Sequence, residues 1–172
     1  QRDPEKLNRD WVAPGTPGYE HRIGGLEKDA VSGAISHDGL NHERMVELRQ
    51  EKLDRIANYI PELEIVGNED ADVLLVGWGG TYGHLFSAVE ELNADGEKVA
   101  LAHFNYINPL PKNTAEVLKR YKKILVCELN MGQFAGFLRT KYPQFVYHQY
   151  NKIQGQPFTV HEIKEACLDL MK

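Results

Sequence analysis

The sequence predicts an α/β domain built on a mostly parallel sheet. Short apolar runs alternate with segments of helical period from residue 64 onward. The run 72–78, "DVLLVGW", is apolar almost throughout, as a strand buried on both faces requires. Helix-start signals recur between such runs. Strands alternating with helices imply right-handed crossovers and a sheet covered on both sides.

Residues 1–40 stand apart from this pattern. They hold three prolines and six glycines with no sustained period of 2 or 3.6, and too little apolar material for a core of their own. They read as a connector lying across other surfaces. Asn41 is the expected N-cap of the next segment, "HERMVELRQEKLDRIANYI". Val46, Leu53, Ile56, Ala57 and Ile60 recur on it at helical spacing, and Pro61 is expected to end it.

Four strands and four helices follow the short strand candidate "EIVG" at 64–67. After 72–78 comes the helix "HLFSAVEELNADG", with Leu85, Phe86, Val89 and Leu92 on one side and Gly96 as its stop. "KVALAHFN" is the next strand. Asn113 and Glu116 stand in capping-box relation at the head of "NTAEVLKRYKK". "ILVCELN" and "QFVYHQY" are strands flanking the helix "GQFAGFLRTKY". A last capping box, Thr159 with Glu162, opens a helix carrying Ile163, Ala166, Cys167, Leu170 and Met171.

Composition narrows the function classes. The 172 residues are 42% hydrophobic and 26% charged, values of an ordinary globular protein. A formal net charge of −5 argues against a nucleic-acid surface, and no apolar run is long enough for a membrane. Lys119, Arg120, Lys122 and Lys123 cluster, as cations at a helix end do. The two cysteines, Cys127 and Cys167, are too far apart for a cluster or structural zinc and read as buried small hydrophobes in a reducing, cytoplasmic setting.

Two stretches invite a chemical reading. Gly77, Gly79, Gly80 and Gly83 form a turn between strand and helix, close to a dinucleotide fingerprint but one residue out of register. Asn105 stands where the ribose-binding carboxylate belongs, and no G-K-[ST] follows. Gly79 and Gly80 are therefore expected to supply backbone freedom for a sharp corner, with Gly80→Ala costing stability. A small anion or nucleotide held at 79–83 by a stand-alone module is the alternative. His84, near the helix start, reads as a surface or capping histidine. In "CELNMGQFAG", Glu128, Asn130 and Gln133 fall at the carboxyl end of a parallel strand, where α/β sheets place ligands. No Ser/His/Asp or Cys/His set accompanies them, so a polar lining of an interface is equally in view.

Taken together, "GGLEKDAVSG" at 24–33, "NHERMVELRQEKLDRI" at 41–56, "DVLLVGWGGTYGH" at 72–84, "INPLP" at 107–111, "ILVCELNMGQFAGFLR" at 124–139 and "KIQGQPFTVHEI" at 152–163 resemble the C-terminal part of the α subunit of 2-oxoacid:ferredoxin oxidoreductases, the 2-oxoglutarate type in particular. One departure is visible: Lys28 and Asp29 stand where related chains often have His and an acidic residue.

The resemblance implies a transketolase C-terminal-like fold, a three-layer α/β/α sandwich with a five-stranded sheet of order 1-3-2-4-5 and strand 1 antiparallel. It further implies 1–40 as a connector from an upstream thiamine-pyrimidine domain, 41–61 as a linker helix, and 62–172 as the sandwich. Thiamine diphosphate, magnesium and iron–sulfur clusters belong to the complete enzyme and none to this part. The implied partners are the rest of the α chain (or of a fused γ–α chain), a β subunit with the thiamine diphosphate site, and ferredoxin. No catalytic, cofactor or metal residue is then expected here. Gly79, Gly80, Thr81, Tyr82, Glu128, Asn130 and Gln133 become candidates for a domain or subunit interface.

Overall fold

The computed structural model describes residues 2–172, and the chain divides into two compact units, one up to Tyr59 and the other Ile60–Lys172. The second unit holds the sheet. Its elements are β1 (Ile65–Gly67), β2 (Val73–Trp78), α2 (Tyr82–Ala94), β3 (Val99–Phe104), α3 (Thr114–Lys119), β4 (Lys123–Glu128), α4 (Gln133–Lys141), β5 (Tyr147–Asn151) and α5 (Val160–Met171). The first unit contributes α1 (Gly39–Ile56).

The strands lie in the order β1-β3-β2-β4-β5. β1 runs antiparallel to β3, with Ile65 opposite Ala102, and the other pairs are parallel. This is the predicted sandwich. Successive side chains of a strand point to opposite faces, and the two cores follow that rule. Val73, Leu75, Val99 and Leu101 pack with Leu85, Val89 and Leu92 of α2 and Ile163 and Cys167 of α5. Leu74, Val76, Ala102 and Phe104 pack with Val117 and Leu118 of α3 and Phe134 and Leu138 of α4. Burial of each such large side chain stabilises by ~1.5–3 kcal/mol, which is why the doubly buried run 73–76 dominates the pattern.

Helix ends explain most of the local geometry. At α5 the Thr159 hydroxyl accepts from Glu162 N and the Glu162 carboxylate accepts from Thr159 N, the expected capping box. Gly96, at φ +93°, follows α2 as expected. The box expected at Asn113 is absent. That side chain instead clamps the Leu63 backbone, accepting from its N–H (2.8 Å) and donating to its carbonyl (3.0 Å). Without a side-chain cap α3 is only six residues long.

In the first unit the N-cap of α1 is Asp38, whose carboxylate accepts from Asn41 N at 2.7 Å. Asn41 is not the cap because its amide is engaged elsewhere, with Ala30 N and Lys28 O. The helix ends at Ile56, before the expected stop at Pro61. Its apolar stripe has no buried member: Val46 is 47% exposed, and Leu53 and Ile56 nearly as much. Upstream, the chain forms turns and two isolated antiparallel bridges, Arg2 with Arg9 and Lys28 with Ile35. Among the described residues no helix is long and apolar enough to cross a membrane.

Candidate functional site

Parallel strands present their carboxyl ends at one edge of the sheet, and a ligand site in such a fold lies where the chain reverses its winding direction. Here that point falls between β2 and β4. It is filled from within. Trp78, the last residue of β2, donates its indole N–H to Glu128, the last residue of β4, at 3.2 Å. Glu128 is fully buried. Its carboxylate also accepts from Asn130 Nδ2 (3.0 Å), Phe134 N (2.9 Å) and Ala135 N (3.0 Å). The Asn130 amide oxygen takes Gly132 N and Gln133 N at 2.7 and 3.0 Å.

A helix N-terminus attracts an anion through its free N–H groups and its dipole. At α4 the N–H groups of Gln133, Phe134 and Ala135 all have side-chain acceptors from the strand end and turn just before the helix. Glu128 occupies the position that a ligand's negative charge would take. Phe134 closes the space above it, packed against Trp78 and edge-on to Phe104.

The glycine turn is a packing corner. Gly77 lies inside β2, and a Cβ there would meet Leu85 Cδ1 at 2.2 Å and Thr81 Oγ1 at 2.7 Å. Thr81 is buried, and its hydroxyl accepts from Trp78 N (3.2 Å) and donates to Trp78 O (2.9 Å). Gly79 has φ +59°. Gly80 needs no glycine: its φ is ordinary and a Cβ would meet nothing within 4 Å. The expected penalty at Gly80 therefore moves to Gly77 and Gly79.

Beside this corner a cleft of about 480 Å³ is lined by Glu62, Glu64, Gly79, Tyr82, His103 and Asn105, among others. The buried His103 Nε2 has no hydrogen-bond partner, burial holds the imidazole below its ordinary pKa, and the Tyr82 ring meets it edge-on at 5.1 Å. The sequence reading passed over His103 because it sits in an apolar run. The available signal was its position, two residues before the carboxyl end of a parallel strand's "AHFN". Among the described residues no hydroxyl or thiol is hydrogen-bonded to it, so the cleft can hold a polar group but shows no activated nucleophile there.

The seven candidate residues separate by exposure. Gly79, Gly80, Tyr82 and Gln133 are exposed, Asn130 is half-buried, and Thr81 and Glu128 are buried. His84 is half-buried in the first turn of α2. The donor set does not fit an iron–sulfur cluster. Cys127 and Cys167 are both buried, and burial pushes both thiols up, Cys167 to about 11, whereas cluster ligands are thiolates. No group of three His, Cys, Asp or Glu able to hold a metal occurs among the described residues. For the diphosphate and magnesium of a thiamine cofactor, the carboxylate at the winding reversal is already engaged four times over.

These features define an α/β/α sandwich of the 1-3-2-4-5 order whose ligand position is closed by its own side chains. The chain belongs to the family described as pyruvate:ferredoxin oxidoreductase core domain II, whose family model matches residues 71–163. It is 48% identical over 163 residues to the 2-oxoglutarate oxidoreductase subunit KorA of Mycobacterium tuberculosis, covering 94% of this chain and 24% of that protein. It is 34% identical over 147 residues to 2-oxoacid:ferredoxin oxidoreductase 1, subunit alpha, of Aeropyrum pernix, covering 81% and 23%. A solved 2-oxoglutarate:ferredoxin oxidoreductase from Magnetococcus marinus, with 2-oxoglutarate, coenzyme A and succinyl-CoA bound, superposes with a TM-score of 0.88 at 28% identity. That match covers all of this chain and 30% of the other. The chain thus spans about a quarter of the length of the curated relatives it matches.

Proposed function

We propose that this chain is the non-catalytic C-terminal domain of the α subunit of a thiamine-diphosphate-dependent 2-oxoacid:ferredoxin oxidoreductase, with 2-oxoglutarate as the 2-oxoacid. Its role is to pack domains and hold subunits in register while the complete enzyme forms an acyl-CoA and reduces ferredoxin in the cytoplasm. Thiamine diphosphate, magnesium and the clusters belong on this reading to other parts of the α chain and to the β subunit. Residues up to 40 connect to an upstream thiamine-pyrimidine domain, 41–61 form the linker helix, and 62–172 are the packing domain.

One observation carries the reading. Apart from the cleft at His103, the carboxyl-end rim of the sheet carries large apolar side chains that face outward. Tyr82 at the start of α2, and Tyr106, Leu129, Met131 and Ile153 on the loops after β3, β4 and β5, are exposed, Met131 to 80%. Apolar side chains gathered in this way mark a surface that another protein surface covers. Gly79, Gly80 and Asn130, with the first helical residues Tyr82 and Gln133, lie beside them and belong to the same interface. Thr81 and Glu128 serve it from beneath by fixing the loops' shape.

Two measurements test this. The chain alone, given 2-oxoglutarate, coenzyme A and a viologen acceptor, is expected to give no reduction above blank, and turnover by the pure chain would overturn the non-catalytic role. An α subunit carrying Met131→Glu and Ile153→Glu should fail to assemble with its β subunit or lose activity, while the same changes leave the melting temperature of the isolated chain unaltered. Wild-type assembly and turnover in that variant would remove the rim from the interface.

A further inference from the structure

The first unit carries a cluster of charge that the packing role does not use. The bridge between Arg2 and Arg9 is closed by Asp3 N to Asn8 O (2.8 Å) and Leu7 N to Asp3 O (2.9 Å). Residues directly opposite in an antiparallel pair project to the same side. Arg2, Arg9 and Arg44, the last from α1, line one cleft of about 600 Å³, together with Asp10, Tyr19 and Leu48.

Two of the three cations, Arg2 and Arg9, are oriented by hydrogen bonds to uncharged acceptors, and the charge of Arg9 also acts on the Asp29 carboxylate. Arg2 donates to the Leu7 carbonyl at 2.8 Å, to Ala30 O at 3.5 Å and to the Met45 sulfur at 3.7 Å, and Arg9 donates to the Asp29 carbonyl. Among the described residues Arg44 makes no hydrogen bond and none of the three has an ion pair. Burial, and then the charges of Arg9 and Arg44, hold the Arg2 guanidinium below its ordinary value. The nearby carboxylates are engaged elsewhere. Asp3 accepts from Glu5 N and Lys6 N. Asp29 accepts from Val31 N, Ser32 N and Ser32 Oγ. Glu27 is held by Arg49 and His42. Asp10 alone faces the cleft.

Like charges gathered around one cavity raise the free energy of the empty site, and an anion between them lowers it. The planar fork of a guanidinium matches phosphate oxygens two at a time, and the volume falls in the range of small-molecule sites. We propose that this cleft binds a phosphate-bearing anion of at least two negative charges, gripped by Arg2, Arg9 and Arg44. The proposal rests on the first unit alone and stands or falls independently of the packing role.

The test is calorimetric titration of the 172-residue chain with inorganic pyrophosphate at low ionic strength, with and without a short oligoglutamate peptide as competitor. Saturable binding at one equivalent is expected. Arg44→Gln, which removes no hydrogen bond of the fold, should weaken it about tenfold or more, as the loss of one charge-assisted contact does. Arg9→Lys keeps the charge but loses the fork and should weaken it less. Arg120→Gln, on the other unit, should leave it unchanged. Absence of heat at millimolar pyrophosphate, or equal binding by wild type and Arg44→Gln, overturns the proposal. Displacement of pyrophosphate by oligoglutamate at equal or lower concentration also overturns it, making the cleft a dock for an acidic protein surface.

Discussion

Adding one methyl group at Gly77 should destabilise the sandwich more than adding it anywhere else in the glycine turn. An alanine Cβ at Gly77 would sit 2.2 Å from Leu85 Cδ1 and 2.7 Å from Thr81 Oγ1. The leucine is fully buried between α2 and the sheet, so its tip has no open rotamer to enter, and such overpacking costs ~1–3 kcal/mol. Displacing Thr81 also loosens the two hydrogen bonds that tie its hydroxyl to Trp78, worth ~1 kcal/mol each at most. The alanine stiffens the unfolded chain and returns ~0.4–1 kcal/mol. With each term at the middle of its range the net loss is ~2 kcal/mol, or a fall in melting temperature of ~4–8 °C at ~2–4 °C per kcal/mol for a chain of this size. Gly79→Ala, at φ +59° with no clash, should lose only the ~1–2 kcal/mol of a left-handed alanine. Gly80→Ala should be neutral or slightly stabilising. Melts followed by circular dichroism decide among these. A Gly80→Ala chain that melts as low as Gly77→Ala, or a Gly77→Ala chain that melts like wild type, would refute the packing argument.

Two further outcomes follow from buried and paired carboxylates. Glu128→Gln can keep its carbonyl oxygen on Trp78, Asn130 and Phe134 N but turns an NH₂ against Ala135 N, and should cost ~1–3 kcal/mol. Because the negative charge beside the Trp78 indole is lost, its emission should shift as well, and an unchanged spectrum with unchanged stability would show that the charge of Glu128 matters little. Glu162 is held down to about 2 by Lys152 first and by the Thr159 backbone next. A carboxylate with a depressed folded-state pKa contributes stability that is complete above its unfolded value, near 4.5, and is lost as pH falls toward 2. Urea melts should therefore weaken across that window, and less steeply in Glu162→Gln; parallel curves for the two chains would exclude the pair as a source of acid sensitivity.

The fold was legible where one local signal sufficed. The run 73–76 read as a doubly buried strand because every residue in it faces a core, and the Thr159–Glu162 box sits within a single turn. Misreadings arose where a distant partner competed for a side chain. Asn41 and Asn113 have the chemistry of caps, but Lys28 and Ala30 hold the first and Leu63, fifty residues away, holds the second. The candidate site was legible as a place, the carboxyl end of β4, but not in its state. Nothing local to "CELN" says that Trp78 and the first turn of the next helix would engage the glutamate completely. His103 was hidden by its apolar neighbours, and Arg2, Arg9 and Arg44 are too far apart in sequence for any spacing rule to join them.

The two borders of the sheet have a bearing on how the domain survives outside its assembly. An unpaired strand at a border offers a row of free N–H and C=O groups on which a stray strand can grow. Here one border, β1, is three residues long, closes on Gly67 at φ +97° and runs counter to its neighbour. The other, β5, is the polar run Tyr-His-Gln-Tyr-Asn, largely exposed. Neither offers a long, flat, greasy template. Copies of the isolated domain should therefore associate through the apolar side chains at the rim, reversibly and without strand exchange, rather than polymerise through the backbone.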